Sequence, residues 1–188
     1  MKEELELRMY FFVPYQLTGI QQGIQCGHAA LEYANRFKDS PLFQDFIDNY
    51  KTWVILNGGT TNKRHEEKEI DPECKPIGTL NQIYSSILNF NSLARLDDKI
   101  DVEKFYEPDL QDALTSICFI CDERVFNKKK YPPFNNYILC ALEDNVNHEI
   151  YNEVDDHTYV MDYEKWLAFI GGKKNLFLRN LIEGKKLA

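Results

Sequence analysis

Three short apolar runs constrain this chain more than any other feature: Leu7-Arg-Met-Tyr-Phe-Phe-Val13, Thr52-Trp-Val-Ile-Leu56 and Leu114-Thr-Ser-Ile-Cys-Phe-Ile-Cys121. Each has the length and the aromatic or β-branched content of a strand, and none alternates cleanly between apolar and polar residues. Strands of that kind need cover on both faces of their sheet. The intervening stretches supply it, because they carry helix signals. Pro14 stops the first run, and Thr18 and Gln21 then stand in capping-box spacing before a helix expected over Gly19 to Phe37. Ser40-Pro41 opens a short second helix in "SPLFQDFIDNY". In "TLNQIYSSIL", Thr79 and Gln82 repeat the capping spacing, with Leu80, Ile83 and Ile87 on one side. Strands interleaved with helices predict an α/β layer fold.

Composition sets the outer limits. A chain of 188 residues, 44% hydrophobic and 13% aromatic, can build a real core. Its apolar runs are far too short to cross a bilayer, so no membrane association is expected. The opening "MKEELELR" lacks the apolar stretch of a secretory signal. Five cysteines, at 26, 74, 118, 121 and 140, fit reduced thiols in a cytoplasmic protein. The net charge of −8 disfavours non-specific nucleic-acid binding over the whole surface. That charge is uneven: Glu143 to Glu164 holds eight acids and no Lys or Arg, whereas Lys173 to Ala188 holds five Lys or Arg and one Glu. Asn62 to Lys75 reads as an exposed charged excursion, and Tyr131 to Ala188 as helical with a break at Gly171-Gly172. The expected division is an α/β domain over 1–126 and a helical C-terminal extension over 127–188 packed on it.

No metal site or cofactor is expected. Cys118 and Cys121 have zinc or redox spacing, but they lie inside a strand with no second pair nearby, and residues three apart on a strand diverge. Asp155-Asp-His157 lacks an EF-hand pattern. Cys26 and His28 lie about 200° apart on a helix, too far to form a nucleophile pair. The basic "NKKKYPP" and the C-terminal lysines, interleaved with Tyr131, Phe177 and Arg179, offer phosphate contact or, more simply, a basic amphipathic helix with Leu176, Leu178, Leu181 and Ile182 inward.

The first helix holds three of the nine glycines, at 19, 23 and 27. Plotted as a helix, an arc of roughly 160° gathers them with Cys26, Ala30, Ala34, Phe37, Ile20, Leu31 and Ile24, while Gln21, Gln22, Gln25, Glu32 and Arg36 lie opposite and His28 at the border. A face of small residues lets a helix backbone approach its neighbour closely, so the glycine flank is expected against the sheet. The helix tip, with free backbone N–H groups and a positive dipole end, is a ready place for an anion. Neither a dinucleotide fingerprint nor a phosphate-binding P-loop is present.

In Gln25-Cys26-Gly27-His28-Ala29-Ala30 after a strand, the chain resembles the peptidyl-tRNA hydrolase 2 family. Trp53 before an apolar strand and the stretch "EPDLQDALTSICFI" extend the resemblance over roughly Leu7 to Asp122. It implies a small mixed sheet packed between helices, here with additional C-terminal helices, and hydrolysis of the ester joining a peptide to the 3′ end of tRNA. Such chemistry needs a polarised water and a stabilised oxyanion. The family's Thr maps to Thr115, its Asp to Asp109, and its lysine to Gln21, a neutral amide that donates a hydrogen bond but carries no charge. The expected catalytic set is therefore Gln21, His28, Asp109 and Thr115, with Thr18, Gly19, Gln22 and Gln25 as substrate-binding residues. Two functions follow. One is hydrolysis of an RNA-linked ester at the tip of the first helix; the other is a catalytically silent module gripping an RNA 3′ end, tRNA among them, or a protein partner.

Overall fold

The computed structural model describes residues 4–62, 78–135 and 156–188, with side chains from 163 onward in the last segment. The charged excursion from residue 63 to 75, the acidic run from 143 to 155, Cys74, Cys140 and the side chains of the Asp156-His157 pair lie outside the described residues. No helix among the described residues is long and apolar enough to cross a membrane.

The expected strands form, together with one that the apolar pattern hides. β1 spans Leu7–Pro14, β2 Thr52–Gly59, β3 Val102–Glu107 and β4 Ala113–Asp122. They make one mixed sheet in the order β2-β1-β4-β3, with β1 and β2 parallel and β3 and β4 antiparallel. β3 reads Val-Glu-Lys-Phe-Tyr-Glu, too charged to announce itself as a strand. Its position at the edge of the sheet, half-buried along most of its length, is what tolerates those charges.

The two faces of β1 sort the core. Leu7, Met9, Phe11 and Val13 join Cys118 and Ile120 of β4 on one side. Helix α1, Gly19–Phe37, covers that side with Cys26, Ala29 and Tyr33, and the short α2, Pro41–Asp45, adds Phe43. A π-helical turn, Phe46–Tyr50, follows α2 and contributes Phe46. On the other side Tyr10 and Phe12 meet Phe119, and α3, Thr79–Leu93, lies over β1 and β2. The approach of α3 is close: a side chain at Gly58 would strike Leu80 Cδ1 at 2.7 Å. α3 begins one residue earlier than its capping spacing implies, because Gly78 is the N-cap and no side chain caps it. Thr79 is instead the first helical residue.

The described chain divides into two compact units, one up to Cys121 together with Ile182–Ala188, the other Asp122–Leu181. Within the first, the C-terminus returns to the outer edge of β2 and makes an isolated antiparallel bridge between Leu187 and Leu56. Asn57 N–H donates to the Lys186 carbonyl at 2.9 Å, and Ala188 N–H to that of Ile55 at 3.1 Å. Within the second, α4 (Glu123–Phe126), α5 (Asp156–Phe169) and α6 (Gly172–Ile182) are tied by polar groups. Gly171 and Gly172 break the chain between α5 and α6 with φ of +87° and +89°, a conformation that favours glycine. Arg179 is buried and donates to the carbonyls of Arg124 (2.6 Å) and Tyr131 (2.9 Å), so it is a structural cation rather than a phosphate contact.

One expectation about α1 is overturned. The glycine flank does not lie against the sheet: a Cβ added at Gly19, Gly23 or Gly27 would meet nothing within 4 Å. The buried residues of α1 are Gln22, Gln25, Cys26, Ala29 and Tyr33. Ile20 is 80% exposed, Leu31 70% and Ile24 52%. The helix is rotated so that a mixed polar and aromatic stripe faces inward. Tyr33 explains part of this, since its ring is too large to leave out of a core it can fill beside Phe37 and Phe43. Paired glutamines explain the rest.

Candidate functional site

The leading end of α1 is built by its own sequence. Thr18 holds an extended conformation at the N-cap, and its hydroxyl accepts from Gln21 N–H at 3.4 Å. In return Gln21 Oε1 accepts from Thr18 N–H at 3.0 Å, completing the capping box. Gln21 therefore turns its side chain back onto the helix end. These two bonds occupy the amide oxygen and one of the orphan donors that an anion would use. Gly19 and Ile20 remain at the tip as exposed residues. Gln22 is buried and reaches the Pro14 carbonyl at 3.4 Å through Nε2, tying the helix to the end of β1.

Further along the helix a buried chain of polar groups crosses to the sheet. Thr115 Oγ1 donates to Gln25 Oε1 at 2.5 Å, and Gln25 Nε2 donates to Glu107 Oε2 at 2.5 Å. Glu107 Oε1 in turn accepts from Asp109 N–H at 3.4 Å, capping the 3₁₀ turn Pro108–Leu110. A break in strand pairing makes this possible. Phe105 pairs with Ser116 and Tyr106 with Leu114, so Thr115 is the extra residue of a bulge. Cys118 and Ile120 face α1, and strict alternation would turn Thr115 to the other side of the sheet. The bulge redirects its hydroxyl to Gln25.

The structure thus joins Gln25 to Thr115, two residues expected at the site, through one hydrogen bond. Thr18 and Gln21 are joined to each other at the tip. Asp109 is exposed on its turn and is linked through its backbone to Glu107. His28 is exposed, with its ring stacked on Phe105 at 4.5 Å and 18°. Glu107 is the residue that reading the sequence missed. Its only signal is position: it sits two residues before Asp109, at the end of a strand that was itself not recognised.

The thiol beside this chain is inert. Burial pushes Cys26 up to about 12, with Ser116 pulling weakly the other way. Cys118 is likewise raised by burial, and Cys26, Cys118 and Cys121 are all buried, as core cysteines are. Among the described residues no group of three or more His, Cys, Asp or Glu side chains is arranged to hold a metal ion.

On the outer flank of α1 lies a second feature, an apolar groove of about 690 Å³. Ile24 and Leu31 of α1 form one wall; Phe43, Ile47 and Trp53 form the other, and Lys51 stands among the lining residues. Trp53 is 45% exposed although its ring packs on Phe11 at 4.7 Å. An open apolar hollow of this kind is a candidate binding surface. No protein-family model matches the chain, and no curated protein sequence matches it.

Proposed function

We propose that this chain is a peptidyl-tRNA hydrolase 2-like α/β module that works by binding a protein partner and does not cleave an ester. The observation that carries this reading is how the polar groups are used. Gln21 is committed to the capping box, Thr115 is fully buried and bonded to Gln25, and the sequence from Thr18 to Gln25 at the helix tip holds no Lys or Arg. A catalytic hydroxyl must be open to a reacting water, and a neutral amide, whatever donors its nitrogen keeps, brings no charge to an oxyanion. The overall charge of −8 also favours a protein over a polyanion. The outer face of α1, apolar and exposed, is the surface such a module would use.

The test is release of peptide from a peptidyl-tRNA mimic by the purified protein beside its Gln21→Lys variant. The expected result is no release by the unaltered protein, and measurable turnover by it overturns the reading. Release by the variant alone would identify a disarmed hydrolase. Filter binding of tRNA supplies the second arm: weak binding is expected, and tight binding that falls steeply with salt would assign phosphate recognition instead.

The hydrolytic reading draws on Glu107, a half-buried carboxylate in the chain of bonds from Thr115. As a general base it would activate water against an RNA-linked ester, and Glu107→Gln would then abolish any turnover found in the same assay.

A further inference from the structure

We infer that the outer edge of β2 is a docking edge for an extended peptide, added as an antiparallel strand, and that the chain's own residues 186–188 occupy it as a displaceable stand-in. The inference goes beyond the reading above. It concerns a surface other than α1 and stands whether or not the protein cleaves an ester.

The two edges of the sheet are guarded in different ways. β3 carries Glu103, Lys104 and Glu107, and charges along an edge discourage a further strand from adding to it. β2, Thr52–Gly59, carries no charged residue, so its edge lacks that protection. The chain's own tail takes the place instead. Leu187 bridges Leu56, Asn57 N–H donates to the Lys186 carbonyl at 2.9 Å, and Ala188 N–H donates to the Ile55 carbonyl at 3.1 Å. A bound peptide adds to a sheet by the same pattern, with its backbone supplying the bonds.

Three features make this occupant exchangeable. Its hold is small: two backbone bonds, with Lys186, Leu187 and Ala188 all exposed and Leu187 at 75%. So few bonds barely offset the freedom lost when the residues are ordered. A hinge precedes the tail, because α6 ends at Ile182 and Gly184 follows with φ of +69° and nothing within 4 Å of an added Cβ. The tail is also shorter than the edge. It pairs with Ile55 to Asn57, whereas among the described residues Thr52, Trp53 and Val54 meet a strand only on the β1 side.

A longer segment running the same way would gain backbone bonds at that uncovered end. It would also lay a side chain against Trp53, which is 45% exposed and on the same face as Ile55. The partner that fits is therefore an extended segment reaching from Asn57 to Thr52, with aliphatic side chains opposite Leu56 and Trp53.

Fluorescence anisotropy with two labelled peptides tests this. One has the tail's own sequence, Glu-Gly-Lys-Lys-Leu-Ala; the other is the same peptide extended by Thr-Val-Thr, whose valine falls opposite Trp53. Each is titrated with the full chain and with Ala188→Pro, which removes one of the two donors that hold the tail. The extended peptide should bind both proteins, more tightly than the short one, and about five- to tenfold more tightly to Ala188→Pro, which has one backbone bond fewer to displace. N-methylation of its alanine, the residue that replaces Ala188, should abolish binding. Hydrogen exchange supplies a second readout: the Asn57 amide should exchange faster in Ala188→Pro and slow again when the extended peptide is added. Failure of the extended peptide to bind either protein overturns the inference. So does equal affinity for the two proteins, or binding indifferent to N-methylation.

Discussion

The two faces of α1 invert the usual arrangement of an amphipathic helix. The inner face carries two glutamines, a cysteine, an alanine and a tyrosine, all buried. The outer face carries two isoleucines, a leucine and three glycines in or near solvent, beside the exposed Gln21, His28, Glu32, Asn35 and Arg36. Apolar surface alone would favour the opposite rotation. What the inner face offers is fit and a polar link to the sheet: Tyr33 fills the space beside Phe37 and Phe43, and Gln25 bonds both Thr115 and Glu107. A buried polar group left without a good partner costs about 1–3 kcal/mol, and the 2.5 Å bond to Gln25 is the shorter of the two that Thr115 Oγ1 makes, the other reaching the Phe105 carbonyl at 3.4 Å. The lesson is that polar satisfaction and shape can decide a helix's rotation, and that the apolar side left outside is then available for another chain.

The comparison can be broken first at Tyr33. Tyr33→Ala should cost about 3–5 kcal/mol by chemical denaturation, whereas Leu31→Ala, only two residues away, should stay within about 0.5 kcal/mol. Equal losses at the two positions would mean the helix is rotated from the orientation described.

Alkaline titration gives the next largest effect. The thiol of Cys26 is raised from 9.0 to about 12 and the phenol of Tyr10 from 10.0 to about 12, both by burial. A group with a raised folded-state pKa contributes stability that is complete below its unfolded value and is lost as pH rises through the folded one. Melting temperature should therefore be flat to about pH 9 and fall between about pH 9 and 12, with on the order of a few kcal/mol lost. Cys26→Ala should make that fall shallower, with the onset kept by Cys118, which burial raises in the same way; an unchanged slope would remove Cys26 from the account.

Gln25→Leu sharpens the comparison at the polar chain. The loss expected is about 1–3 kcal/mol, with most of it recovered when Thr115→Val is added, because both ends of one hydrogen bond are then gone. Additive losses would mean that the two side chains are not coupled.

The smallest effect carries an informative sign. Gly23 lies in mid-helix with open space around it, so Gly23→Ala should stabilise the protein by about 0.5–1 kcal/mol. A glycine packed against the sheet would give the opposite sign.

Much of the architecture was legible in the residues. Pro14, the Thr18–Gln21 capping pair and the apolar runs located β1, α1 and β4 to within a residue at each end and the start of β2, which runs three residues past its expected end at Leu56, because each signal is local. β3 was not legible, since an edge strand need not be apolar, and Glu107 was hidden with it. At the site, the capping role of Gln21 followed from spacing alone, whereas the link between Gln25 and Thr115 did not.

The sequence by itself determined where β1, α1 and β4 lie, that α1 forms with a capping box at its tip, and that its two sides differ in character. Only the tertiary structure decided which side faces the sheet. Periodicity measures the contrast between faces, but a bulge at Thr115, 90 residues away in sequence, supplies the hydroxyl that draws Gln25 inward. That partner exists only once the strands are paired, so the rotation of α1, and with it the exposure of Ile20, Ile24 and Leu31, is a property of the assembled fold.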